Sequence, residues 1–146
     1  MNIPKLAKEA EAGSCVAQSI LGTCYLDGID VEIDYGMAFH LLSAASDQGA
    51  SRAVANLARM YADGLGIPKD LSKGIYLYEK AARAGDLFAQ VELGRLYSRR
   101  VDFPVDLDAA LKWYSIAAAQ EGVDADCEEF EEAKTYVVNA GRRKKE

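Results

Sequence analysis

Three kinds of side chain in this 146-residue sequence could do chemistry: one histidine, three cysteines and an unevenly spread set of charges. His40 is the only imidazole, so general-base or Cys–His chemistry would have to be built around it. Its equivalents elsewhere in the chain are Tyr76 and Lys112, which predicts a solvent-facing histidine. Cys15, Cys24 and Cys127 supply thiols, but no C-x-x-C pair occurs and no nucleophile motif surrounds any of them. An odd number of cysteines makes no disulfide framework, so reduced, partly buried thiols are expected. The seven carboxylates between Glu121 and Glu132 could gather a divalent cation. They lack the alternating ligands around a glycine that a calcium loop needs, and much of the run would open a helix, where the dipole favours negative charge. The GLG at 64–66 lacks the strand that precedes a phosphate-cradling loop. The expectation is no catalytic residue, no cofactor and no metal.

Arginine offers the remaining chemistry. Arg52, Arg59, Arg95 and Arg99 fall at related positions in a chain with 17 basic and 23 acidic residues and a net charge of −6. A guanidinium fork suits bidentate carboxylate recognition. The acidic balance argues against nucleic acid as a partner. No apolar run approaches the length of a membrane span. The opening MNIPKLAKEAEAG has no apolar signal core, so a cytoplasmic chain is expected. Arg142, Arg143, Lys144 and Lys145 read as a solubilising, frayed basic tail over 142–146.

The elements that position these residues follow a repeat. Ala17, Ala53, Ala89 and Ala125 are spaced by 36, as are Leu21, Leu57 and Leu93, and Tyr25, Tyr61 and Tyr97. Asp34, Asp70 and Asp106 keep the same step, and so do Gly13, Gly49 and Gly85. Residues four apart share one helix face, so each unit predicts a helix A carrying Ala, Leu and Tyr. Helix A ends near Gly28 or Gly64, a loop follows, and the aspartate caps helix B from about Tyr35, Leu71 or Leu107. The small residue after each leucine (Gly22, Ala58, Gly94) lets a neighbouring helix approach. Tyr25, Tyr61, Tyr97, Tyr78, Tyr114 and Trp113 are read as core. Such pairs bury their apolar faces only by stacking. Residues 4–12 match a lone helix B. The segment at about 124–140 fits neither register, yet Phe130, Ala133, Val137 and Ala140 make an apolar stripe. It reads as a C-terminal capping helix with a polar outer face, stopped by Gly141.

The unit A-x-x-x-L-G-x-x-Y-x-x-G, a loop, D-x-x-x-A and a closing A-A-x-x-G resembles the Sel-one-like repeat (SLR) of the tetratricopeptide-like superfamily. Residues 13–48, 49–84 and 85–121 carry the match, the middle unit most fully through Gly64, Gly66, Ile67, Asp70, Ala81, Ala82 and Gly85. Asp30 and Asp102 replace the second loop glycine and Arg100 the first, which puts the shape of those loops in question. The resemblance implies an all-α fold: a right-handed α/α solenoid of three repeats within one domain over 1–141, its A helices lining a concave face. It implies adaptor or scaffold work. Cysteine-rich relatives linked to β-lactam binding carry paired cysteines in each repeat, a frame that Cys15 and Cys24 do not reproduce.

Carried over by motif, the groove-lining positions are Val16, Ser19, Thr23, Leu26 and Asp27 in the first unit. The second supplies Arg52, Ala55, Arg59, Ala62 and Asp63, and the third Phe88, Val91, Arg95, Ser98 and Arg99. The expected binding set is therefore Arg52, Arg59, Phe88, Val91, Arg95 and Arg99, gripping an acidic protein segment around an apolar anchor. The competing reading of the arginines is a solvated face paired with Asp27 and Asp63. Thr23 stands where a carboxylate-clamp asparagine would be, which argues against a C-terminal peptide as ligand. The first functional reading is a non-enzymatic adaptor. Others are a small bacterial immunity protein that neutralises a toxin, and a hydrolase built on His40. A monomer or a weak end-to-end dimer is expected.

Overall fold

The computed structural model describes residues 1–124 and 126–146; Ala125, the fourth alanine of the repeat series, lies outside the described residues. The described residues form eight α-helices and no strand. They group into two compact units, Met1–Ala84 and Gly85–Glu146.

The first unit holds α1 (Ile3–Glu11), α2 (Cys15–Asp27), α3 (Tyr35–Asp47), α4 (Ser51–Asp63) and α5 (Leu71–Arg83). The pairs α2–α3 and α4–α5 are the two helix-A/helix-B units, and α1 packs on α2 as a lone B helix. Leu26, Ala38, Leu42, Ala45, Ala53, Leu57 and Met60 form one core; Ala10, Ala17, Leu21 and Leu41 form another beneath α1. A methyl group on Gly22 would lie 2.8 Å from the Leu42 side chain, so the glycine after the repeat leucine does set how closely α3 approaches.

The second unit holds α6 (Leu87–Arg99), α7 (Leu107–Ala118) and α8 (Glu128–Arg143). The A/B pair is α6–α7, and α8 packs on both. Gly94 again marks a close approach, its absent Cβ 2.6 Å from the ring of Tyr114. Val91, Ala110, Tyr114, Ala117 and Ala133 are the core of this unit. Tyr78, Trp113 and Tyr114 are buried and Tyr25, Tyr61 and Tyr97 half-buried.

The loop aspartates cap as their spacing predicts. Asp34, Asp70 and Asp106 each accept from the backbone N–H three residues on, those of Met37, Lys73 and Ala109. Their own N–H groups donate to the carbonyls of Tyr25, Tyr61 and Tyr97, closing each loop on the repeat tyrosine at 2.8–2.9 Å. Gly28 and Gly64 end α2 and α4 in the left-handed conformation. Asp30, where the second repeat has Gly66, keeps a positive φ of 57°, so the first loop retains its shape without the glycine. Aspartate is one of the few residues that tolerate this region. In the third repeat Arg100 is extended, and that loop does depart from the others.

The C-terminal helix needs correction. It begins at Glu128 rather than near 124, and it runs through Gly141 to Arg143. Gly141 costs helix stability but does not stop the helix, because positive charge at Arg142 and Arg143 suits the negative end of the dipole. The basic residues are thus partly helical rather than a separate tail.

Candidate functional site

The six residues expected to bind a partner fall in two unlike settings. In the first unit Arg52 and Arg59 lie seven apart on α4, hence on one stripe with Asn56 between them. Arg52 is exposed. Arg59 is half-buried and forms an ion pair with Asp27 of α2, while its Nε is buried with no hydrogen-bond partner. Asn56 Nδ2 donates to Thr23 Oγ1 at 2.8 Å, so polar bonds fasten α2 to α4 along this face. On α2 the same spacing places Val16, Ile20, Thr23 and Asp27 in line, and Val16 is 69% exposed and Ile20 37%. Of the other first-unit lining positions, Leu26, Ala55 and Ala62 are buried, because they serve the core.

In the second unit the corresponding face is covered by α8. Val91, expected on an open surface, is 0% exposed and packs among Tyr114, Ala133 and Val137. Phe88 is half-buried. The Glu132 carboxylate of α8 is the focus of the remaining charges. It accepts from Arg95 Nε at 3.1 Å, from Arg95 Nη2, from Arg99 Nη2 at 2.9 Å and from Tyr114 Oη at 3.0 Å. Arg95 also pairs with Glu92 on its own helix.

Electrostatics follow from that cluster. Burial works against the charge on Glu132, but the bonds from Arg95 and Tyr114 and the positive charges of Arg95 and Arg99 outweigh it. They hold the carboxyl below its ordinary range. Its bond to Glu132 raises Arg95 above an ordinary arginine. Burial and the neighbouring Glu132 charge push the Tyr114 hydroxyl up to about 12. Tyr114 therefore stays a donor at neutral pH, and its ring stacks on Tyr136 of α8 at 4.2 Å. A cleft of about 580 Å³ runs beside this cluster, lined by Arg99, Leu107, Tyr114, Glu132, Tyr136 and Arg143 among others.

Sequence reading missed Glu132 and Glu92 as partners of the arginines, and Tyr114 as a further donor to Glu132. Glu132 sits in a segment whose register departs from the 36-residue step, so the repeat could not place it. The usable signal was the stripe Phe130, Ala133, Val137, which puts Glu132 beside the buried face.

The chemistry-bearing residues are scattered. His40 is exposed on α3, at the edge of a cleft lined by Ala7, Ala10, Leu21, Tyr25 and Met37. All three cysteines are free thiols. Cys24 is buried, and burial pushes its thiol up, which disfavours the nucleophilic thiolate. Among the described residues, no group of three or more His, Cys, Asp or Glu side chains is placed to hold a metal ion. No helix among them is long and apolar enough to cross a membrane.

The model of the Sel1 repeat family matches this chain three times, over residues 15–49, 51–86 and 87–121. Among solved structures, the chain is similar to a Sel1 repeat protein from Oxalobacter formigenes, with 35% identity over 94% of this chain and 98% of that one and a TM-score of 0.68. It is also similar to c5321, a protective antigen present in uropathogenic Escherichia coli strains displaying an SLR fold. There the identity is 29%, over 97% of this chain but only 34% of that one, with a TM-score of 0.71. No curated protein gives a significant match. Sel1 repeat proteins are, as a rule, non-enzymatic scaffolds that mediate protein–protein interaction. The repeat matches, the all-α helix pairs and the similarity to these structures agree: the chain belongs to the Sel1 repeat family, in the all-α solenoid class.

Proposed function

We propose that this chain is a non-enzymatic interaction module, an adaptor that holds another protein through the exposed faces of α2 and α4. The observation that carries the reading is exposed Arg52 and half-buried Arg59 on α4 beside exposed Val16 and Ile20 on α2; Asn56 between the arginines is buried and spent on Thr23. This face combines apolar area with directional donors, the composition of a recognition surface rather than of a merely solvated helix. Arg59 holds Asp27 yet leaves Nε without an acceptor, so its polar account is incomplete. A carboxylate from an acidic partner segment would be met by the exposed Arg52 guanidinium, not by the buried Nε. In this reading Arg52 and Arg59 touch the partner, Arg95 and Arg99 serve α8, and Val91 supports the core. Three free thiols suit a reducing compartment, which favours work in the cytoplasm.

The test is affinity purification from the native cell, wild type beside Arg52→Glu. Arg52 is exposed, so its reversal leaves helicity intact. The expected result is a stoichiometric protein partner whose recovery falls at least about tenfold in the variant, as loss of one charge-assisted contact implies. Undiminished recovery with unchanged circular dichroism overturns the assignment of this face. A single very tight partner that is toxic when expressed alone would turn the adaptor reading into an inhibitor reading.

A further inference from the structure

We propose that the α6–α7 face of the third repeat is a docking site for an amphipathic helix carrying a glutamate, and that α8 occupies it in cis. An acidic helix from a partner protein would take the same seat when α8 leaves. This deepens the reading of the chain as an interaction module and rests on it.

Every donor to Glu132 belongs to α6 or α7. Arg95 and Arg99 come from one helix and Tyr114 from the other, and together they converge on a single carboxylate. The charges are complementary: α6 presents two guanidinium groups, and α8 opens with Glu128, Glu129 and Glu131 in its first turn. The apolar part of the seat is also built by α6 and α7, with Val91, Ala110 and Tyr114 receiving Ala133, Tyr136 and Val137. This is helix-in-groove recognition, with apolar residues at helical spacing and a charge-assisted bond fixing the register.

One feature marks α8 as an occupant that can leave. The connections that lead from a B helix into an A helix elsewhere are short, spanning 12–14, 48–50 and 84–86. The one into α8 spans 119–127, long enough to let the helix move away while still tethered. The tether also gives α8 a high effective concentration, so a free helix of equal intrinsic affinity competes poorly until the cis contact is weakened.

The experiment uses the 146-residue chain and a fluorescein-labelled synthetic peptide of residues 126–146, read by anisotropy. Glu132→Lys places a cation against Arg95 and Arg99 and releases α8 in the protein. The peptide, which keeps Glu132, should bind this variant at least about tenfold more tightly than wild type. A peptide that itself carries Glu132→Lys should not bind. Ala133→Asp in the protein, which spoils the apolar seat of α8 and leaves α6 and α7 intact, should open the site in the same way. Circular dichroism checks that neither variant loses more helix than the 16 residues of α8. Equal binding to wild type and variants, or no binding to either folded variant, overturns the proposal. Because no natural partner is needed, failure here is distinct from failure of the α2–α4 face to recover one.

Discussion

At the residue scale, the deciding fact is where each arginine spends its donors. Arg95 and Arg99 are committed to Glu132, and protonation of that carboxyl in the folded chain is what ends the commitment. In the folded chain this carboxyl titrates below its ordinary value, so it adds stability above roughly pH 4.3, the unfolded value. That stability is lost as the pH falls through the lowered folded value. Chemical denaturation of wild type and Glu132→Gln should therefore differ at pH 7 by about 1–3 kcal/mol, the range for a part-buried charge-assisted bond. The two should begin to converge as the pH falls below the unfolded value of roughly 4.3, and should meet once it has fallen through the lowered folded value. A gap that persists unchanged at pH 3 would show that the carboxylate charge is not what holds α8. The arginines themselves were legible from the repeat, because Arg59 and Arg95 keep the 36-residue step. Their partners were not. Asp27 was named as a pairing option, but Glu132 lies where the register breaks, and burial of Val91 depends on a helix that the repeat did not place.

At the element scale, the helix pairs are fastened by polar bonds that recur every second unit. Gln48 Nε2 donates to Gln18 Oε1 at 2.7 Å and to the Gly13 carbonyl at 3.3 Å. In the third repeat Gln120 bonds Gln90 and the Gly85 carbonyl in the same way, at 2.7 and 2.9 Å. In the second repeat the two equivalent positions are Val54 and Ala84, so both members of the pair change together. A buried amide left without a partner costs more than an apolar pair of similar shape. Gln48→Ala alone should destabilise the chain by about 1–2 kcal/mol, while Gln18→Val with Gln48→Ala should recover much of that loss. Additive losses in a thermal-melt double-mutant cycle would show that the two amides do not act as a unit. Most helix boundaries were legible at this scale, since Asp caps, glycine C-caps and apolar spacing all report local physics. The end of α8 was not, because glycine at 141 was read as a stop when the helix carries it within a last turn that favours Arg142 and Arg143.

At the scale of the whole molecule, the chain consists of three Sel1 repeats preceded by a lone B-type helix and followed by a lone terminal helix. Each repeat was visible in the sequence because stacking units must reuse the same core positions. What the repeat cannot specify is which A-helix faces stay open, since that depends on the terminal helix. The face of α2 and α4 exposes Val16, Ile20 and Arg52, whereas Val91 on α6 is sealed beneath α8. A partner should therefore land on one region, the face of α2 and α4. A 15.8 kDa chain is well suited to test it by amide and methyl chemical-shift mapping during titration with the recovered partner. The account predicts that the largest shifts fall on α2 and α4, with the Ile20 and Val16 methyls and the Arg59 Nε–H among them. Shifts confined to α3, α5 or the loops that precede them, with Val16, Ile20 and Arg59 unmoved, would contradict it.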